Sequence, residues 1–208
     1  MKTSQRIVII DYGIGNVHSI FNAISHLGYK NVLITSDLKL ISKADVFILP
    51  GVGAFDEAMK NLKCRNLQII LNEQVIGLKK PILGICLGMQ LFASFSDENG
   101  KHEGLNWIKG NVTKIEPSLN FSVPHVGWNN IFINQETPLF NNLNLTHFYF
   151  DHSFHFSCDE TFISAYCDYG VKLTAAIQYN NIFGVQFHPE KSQNNGLKLF
   201  RSFFNYVK

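Results

Sequence analysis

A chain of 208 residues with 46% hydrophobic content can hold one α/β domain with a well-buried core, and a single domain spanning 1–208 is expected. A net charge of only +2, carried by dispersed side chains, does not point to nucleic acid or an acidic membrane surface as the main partner. No apolar run is long enough to span a bilayer and MKTSQR leads into IVIID without a leader pattern, so a cytoplasmic location away from membranes is expected.

The predicted elements start with an apolar run, Ile7 to Asp11, closed by a Gly-rich turn. Asn16 to Leu27 then carries apolar residues at helical spacing and ends at Gly28. Short β-rich runs follow at Asn31 to Thr35, Val46 to Leu49 and Ile82 to Ile85, separated by helical patterns at Glu57 to Leu62 and Leu67 to Lys79. This alternation predicts a mostly parallel central sheet with helices on both faces. After Gly104 the strands become aromatic-rich and point to a smaller antiparallel or mixed region. They fall at Val112 to Ile115, Asn130 to Ile133, His147 to Phe150, Thr161 to Tyr166, Ala175 to Tyr179 and Ile182 to Phe187, before a closing helix from Asn195 to Tyr206. No repeat, linker or low-complexity stretch interrupts the pattern.

Chemistry concentrates in two segments. KPILGICLGMQ, Lys80 to Gln90, runs an apolar strand into Cys86 with Gly84 and Gly88 two residues to either side, the pattern of a nucleophile elbow. A helix starting after Cys86 would aim its first N–H groups at the sulfur and favour thiolate over thiol. A buried core cysteine is the competing reading of this segment alone. IFGVQFHPEKS, Ile182 to Ser192, delivers His188 and Glu190 at a strand end, with Pro189 biasing His188 towards extended backbone. A general base with an orienting carboxylate needs such a placement, although a lone His-x-Glu is mostly structural. The elbow and the His-Pro-Glu together are far more specific. The four cysteines, Cys64, Cys86, Cys158 and Cys167, lack CxxC spacing and indicate neither a zinc site nor a disulfide framework; no metal and no cofactor is expected. DYGIGN, Asp11 to Asn16, has only two glycines of a dinucleotide fingerprint and reads better as a tight strand-to-helix turn.

These segments resemble the class I, triad-type glutamine amidotransferases, a flavodoxin-like α/β family, and within them the glutaminase subunits of imidazole glycerol phosphate synthase in histidine biosynthesis. The resemblance is carried by IIDYGIGNVHSIFNAISHLGY, LPGVGAFDEAM, KPILGICLGMQLF, VPHVGWN, FYFDHSF and FGVQFHPEKS with GLKLFRSFF behind it, which span nearly the whole chain in order. It implies a Cys86, His188, Glu190 triad that hydrolyses glutamine through a γ-glutamyl thioester. Backbone donors at Val52 and Gly53 in PGVG, and at Leu87, would hold the oxyanion. Gln90 and Glu98 would grip the amino-acid head of glutamine, helped by His152, Ser153 and Phe154. Glu98 has neighbouring acids in SDENGKHEG that compete for the role. PGVG would have to rearrange before its donor faces the oxyanion, so that hydrolysis waits for the partner.

Ammonia released into water becomes ammonium and is lost as a nucleophile, so a channelling partner is required. The resemblance implies a (β/α)₈-barrel cyclase in a heterodimer, forming imidazole glycerol phosphate and an aminoimidazole carboxamide ribotide, with Asn16, Trp128, Tyr149 and Lys191 at the interface. From sequence alone Trp128 fits a core plug equally well, and Lys191 fits a solvated charge. Asp151, His155 and the pair Asn106-Trp107 depart from the family pattern. They leave open a paralogous glutaminase that feeds a surface-polysaccharide sugar amidination enzyme. A catalytically silent scaffold is opposed by the complete triad set, and a general thiol hydrolase by PGVG together with Gln90.

Overall fold

A computed structural model of the chain describes residues 5–116, 121–140 and 147–207; residues 1–4 of the opening pattern therefore lie outside the described residues. The strands are β1 Ile7–Ile10, β2 Val32–Thr35, β3 Val46–Leu49, β4 Ile82–Ile85, β5 Phe95–Ser96, β6 His102–Glu103, β7 Gly110–Lys114, β8 His125–Ile133, β9 His147–His152, β10 Phe154–Cys158, β11 Ile163–Asp168, β12 Lys172–Tyr179 and β13 Ile182–Val185. The helices are α1 Val17–His26, α2 Leu38–Ser42, α3 Phe55–Cys64, α4 Leu67–Leu71, α5 Leu87–Gln90 and α6 Gln193–Tyr206.

One 9-stranded sheet runs in the order β2-β1-β3-β4-β13-β12-β11-β8-β9. Pairing is parallel from β2 through β13 and antiparallel from β12 onwards, so the aromatic-rich strands largely extend the same sheet. A separate 4-stranded sheet, β10-β7-β5-β6, makes up the smaller mixed region.

Alternation along β1 explains the layering. Ile7 and Ile9 face a core shared with α1 and α6, whereas Val8 and Ile10 face one shared with α2, α3 and α4. On α6, Leu199, Phe200, Phe203 and Phe204 are fully buried. Each such side chain contributes roughly 1.5–3 kcal/mol of burial, which seats the C-terminal helix against the sheet.

Several local features differ from the periodicity. The helix expected over Leu67 to Lys79 is α4 followed by a wider turn, Asn72–Gly77, closed by the Leu78 N–H on the Glu73 carbonyl at 2.9 Å. The short α2 had no periodic signal; its cap did, since the Asp37 carboxylate accepts the N–H groups of Lys39 and Leu40. Phe154–Cys158 is a strand of its own, β10, in the second sheet. The final strand stops at Val185, and Gln186 keeps one further ladder bond to the Ala175 carbonyl.

Candidate active site

β4 and β13 are parallel neighbours with Gly84 opposite Gly184 and Ile85 opposite Val185, so both chains leave the sheet at the same edge. Cys86 is the first residue beyond β4, with φ +54° and ψ −114°, a strained backbone for a non-glycine residue. The expected glycine walls are present. A Cβ on Gly84 would stand 2.7 Å from the Gly88 carbonyl oxygen and from the Phe92 ring, and one on Gly88 would run into the Leu49 carbonyl. The helix behind the elbow is shorter than the sequence suggests: α5 is a single turn, too short for a large axial dipole.

His188 adopts the extended backbone that Pro189 imposes and donates its own N–H to the Tyr149 carbonyl at 2.8 Å. Its Nδ1 lies 2.9 Å from Oε1 of Glu190, with the two side chains only 2% and 1% exposed. The other ring nitrogen is left for Cys86. Burial disfavours the imidazolium, but hydrogen bonds to Cys86 and Glu190 outweigh it and push the His188 pKa up to about 10. The imidazole is thereby held as a strong proton acceptor beside the sulfur. Oε2 of Glu190 is buried and accepts no hydrogen bond among the described residues.

Cys86 opens on a cavity of about 290 Å³, which is also lined by Val52, Gly53, Leu87, Gln90, Glu98, His152, Ser153, Phe154 and His188. Every residue expected to hold the oxyanion or the glutamine head thus faces one space. Of the acids in SDENGKHEG, Glu98 reaches it; its carboxylate accepts the Phe55 N–H at 2.9 Å, and burial raises its pKa in spite of that bond. Gln90 is buried, donating from Nε2 to the Phe154 carbonyl and to Oε1 of Gln186, each at 2.9 Å. The glycines of PGVG serve different ends. Gly51 is needed for space, since a Cβ there would lie 2.7 Å from the Tyr12 hydroxyl and 2.8 Å from the Gly88 nitrogen. Gly53 has open space but φ +92°.

Four residues of this site escaped the sequence reading. The Tyr12 hydroxyl, buried under the PGVG loop, donates to the Pro50 carbonyl at 2.6 Å. Gln186 donates from Nε2 to the Cys86 sulfur at 3.5 Å. His125 lies 3.0 Å from His152, Nδ1 to Nε2, while Asn129 reaches the far nitrogen of His125 and Nδ1 of His152 meets the Phe154 carbonyl. Burial lowers the pKa of His125 to about 4 and of His152 to about 3, so the pair is neutral at ordinary pH. The only signal for them in sequence was membership of DYGIGN, VPHVGWN and FGVQFHPEKS.

On β8, Trp128 is 42% exposed and packs edge-on to Tyr149 of β9, which removes the core-plug reading. Lys191 is no free charge: its Nζ lies 3.6 Å from the Asp151 carboxylate and 5.4 Å from the centre of the Tyr149 ring. Asp151 also lines the cavity. Asn16 stands just before α1 without a side-chain capping hydrogen bond, and its neighbour Gly15 packs so closely on Pro50 that a Cβ would come within 3.1 Å. Among the described residues no group of three or more His, Cys, Asp or Glu could hold a metal ion, and no helix is long and apolar enough to cross a membrane.

A mixed sheet presenting an elbow cysteine to a His-Glu pair beside a small, half-open cavity is built for nucleophilic cleavage by a thiol. The chain belongs to the glutamine amidotransferase class-I family, whose model matches residues 8–206. Among named relatives it is 48% identical over 205 residues to imidazole glycerol phosphate synthase subunit HisH 2 of Vibrio vulnificus, covering 98% of this chain and 96% of the relative. The subunit HisH 1 of Campylobacter jejuni is 50% identical over 198 residues, 95% of this chain and 98% of the relative. That of Aquifex aeolicus is 42% identical over 201 residues, 96% of each. Solved structures share the fold at lower identity. A glutamine amidotransferase superposes with a TM-score of 0.75 at 16% identity, covering 96% of this chain and 98% of that one. PurLQS from Thermotoga maritima gives 0.72 at 18% identity, covering 99% and 100%.

Proposed function

We propose that this chain is the glutaminase subunit of imidazole glycerol phosphate synthase, hydrolysing glutamine to glutamate and passing the ammonia to a (β/α)₈-barrel cyclase. The glutaminase chemistry rests above all on the Cys86 sulfur facing a His188 that is tied to Glu190 at 2.9 Å. The synthase assignment is supported by relatives of that name at 42–50% identity over nearly the whole chain.

The sulfur, giving its proton to His188, attacks the side-chain carbonyl carbon of glutamine. Negative charge moves to the carbonyl oxygen, where the Leu87 N–H and a donor from Val52 or Gly53 receive it. His188 then gives its proton to the departing nitrogen, ammonia leaves, and a γ-glutamyl thioester remains. Water adds to the thioester as His188 takes a proton from it, and collapse of that intermediate breaks the C–S bond, leaves the electron pair on sulfur for that proton to meet, and releases glutamate. Glu190 keeps Nδ1 protonated throughout. Glu98 is the counter-charge for the substrate ammonium, Gln90 and the 152–154 backbone hold its head group, and Asn16, Trp128, Tyr149 and Lys191 meet the cyclase. A cytoplasmic setting suits a catalytic thiol that must stay reduced.

Glutamate release by the purified chain, alone and with the barrel cyclase and its nucleotide ligand, tests this reading. Strong stimulation that disappears in Cys86→Ala, with ammonia-dependent synthesis preserved, is expected. An intact thiol with no stimulation would transfer the chain to the sugar-amidination paralogues, for which Asp151 at the cavity mouth would be a specific marker.

A further inference from the structure

Gln186 is wholly enclosed, two residues before His188, and is not needed there as filler. Burying a side-chain amide costs roughly 2–7 kcal/mol unless it is hydrogen-bonded, so an aliphatic residue would fill the same space more cheaply. Its bonds have a defined direction. The two Nε2 hydrogens of Gln90 are committed, one to the Phe154 carbonyl and one to Gln186. The Gln186 atom facing Gln90 must then be its oxygen, which leaves its NH₂ group facing the Cys86 sulfur. The flipped amide would set two NH₂ groups against each other and a carbonyl oxygen against the sulfur.

We infer that Gln186 is a catalytic residue, an amide donor aimed at the Cys86 sulfur by Gln90, which favours negative charge on sulfur at the two points where the reaction places it there. The inference rests on Cys86 being the glutamine nucleophile. Sulfur carries charge as it attacks, its proton passing to His188. It carries charge again when the hydrated thioester intermediate collapses: the C–S bond breaks, its electron pair stays on sulfur, and the proton taken from water remains on His188. In the thioester between these points sulfur is a poor acceptor, so the donor acts on the charged states selectively. The same chain joins the nucleophile to the Phe154 carbonyl at the head-group end of the cavity.

Two substitutions test the role: Gln186→Leu removes the donor, and Gln186→Glu keeps the shape but sets a carboxylate beside the sulfur. Alkylation by iodoacetamide would be followed on the Cys86 peptide by mass spectrometry from pH 5 to 10, which separates it from Cys64, Cys158 and Cys167. Near neutral pH, Gln186→Leu should react about tenfold more slowly, the effect of losing one weak bond to a charged group. The deficit should close as pH rises, and Gln186→Glu should be slower still. In the complex with the cyclase, kcat for glutamine should fall about as far, with KM within about twofold and ammonia-dependent synthesis unchanged. Wild-type alkylation across the pH range in both variants would overturn the inference; if Gln186→Leu fails to fold, the isosteric Gln186→Glu decides alone. Alkylation requires no glutaminase activity. A wild-type thiol that reacts normally yet releases no glutamate with any partner would refute the nucleophile assignment and leave the effect of Gln186 on sulfur standing.

Discussion

Substituting Gly51 by alanine puts a methyl group where neighbours from two sides already stand: 2.7 Å from the Tyr12 oxygen, 2.8 Å from the Gly88 nitrogen and 2.8 Å from Leu87 Cβ. Comfortable contacts of this kind lie at about 3.5–4.0 Å, so the loop and α5 must separate by roughly 0.7–1.3 Å. Two of the atoms belong to the turn that follows Cys86 and cannot swing aside as a flexible side chain would. An oxyanion donor works at about 2.7–3.1 Å, a window narrower than that displacement. Losing one donor, or misplacing the reacting groups by about 1 Å, costs on the order of 10²-fold in rate, equivalent to about 2.7 kcal/mol. Overpacking should add about 1–3 kcal/mol of destabilisation, which a melting curve would register. The assay is synthesis by the complex with glutamine or with ammonium as nitrogen source: Gly51→Ala should lower the first about a hundredfold and spare the second. A folded Gly51→Ala protein that turns over glutamine within about threefold of wild type would refute the argument that close packing of this loop on the elbow sets the oxyanion geometry.

Glu190→Gln preserves shape but removes the charge that helps hold the proton on His188; kcat for glutamine should drop on the order of 10²-fold or more with KM little changed, checked by steady-state kinetics in the complex. The neutral pair His125 and His152 should shape acid stability. The unfolded chain takes up protons near pH ~6.5, whereas the folded pair does so only at about 4 and about 3. More protons are then bound by the unfolded state, so stability must fall as pH drops from ~6.5 towards ~3. Urea midpoints at pH 7 and 4.5 should lie closer together in His125→Asn than in wild type, and an unchanged gap would count against the assignment. Trp128→Ala should weaken cyclase binding about thirtyfold, the scale of an interface hot spot, while leaving the melting temperature of the isolated chain unaltered; calorimetric titration and a thermal melt would check the two halves.

The elbow and the His-Pro-Glu were legible because their requirements are local. Gly84, Gly88 and Pro189 constrain the backbone within two residues of the group they serve, and a constraint of that range leaves its mark in the sequence. What depended on distant partners was not legible. Gln186 looks like one polar position in a short apolar strand until Cys86 and Gln90, which follow the neighbouring β4, are brought to it. His125 and His152 meet only because β8 and β9 pair with those residues opposite each other. PGVG carries no local sign of what packs against it, yet Gly51 answers to Tyr12 and Gly88, far away in sequence. The boundary between β9 and β10 was missed for the opposite reason: Ser153 alone separates them, with no glycine, proline or asparagine to announce a change of sheet.

β13 comes last in chain order among the strands of the described residues, yet it sits in the interior of the large sheet, between β4 and β12. Its partner in β4 precedes it by 100 positions, as Ile82 facing Ile182 shows. Until Ile182–Val185 inserts, the two halves of the sheet have no hydrogen-bonded seam, and Cys86 has neither His188 nor Gln186 beside it. Closing so long a loop is entropically slow, and the seam is exposed while it waits. A chain whose seam strand has not yet inserted therefore holds Cys86 apart from the His188–Glu190 pair that the proposed hydrolysis requires.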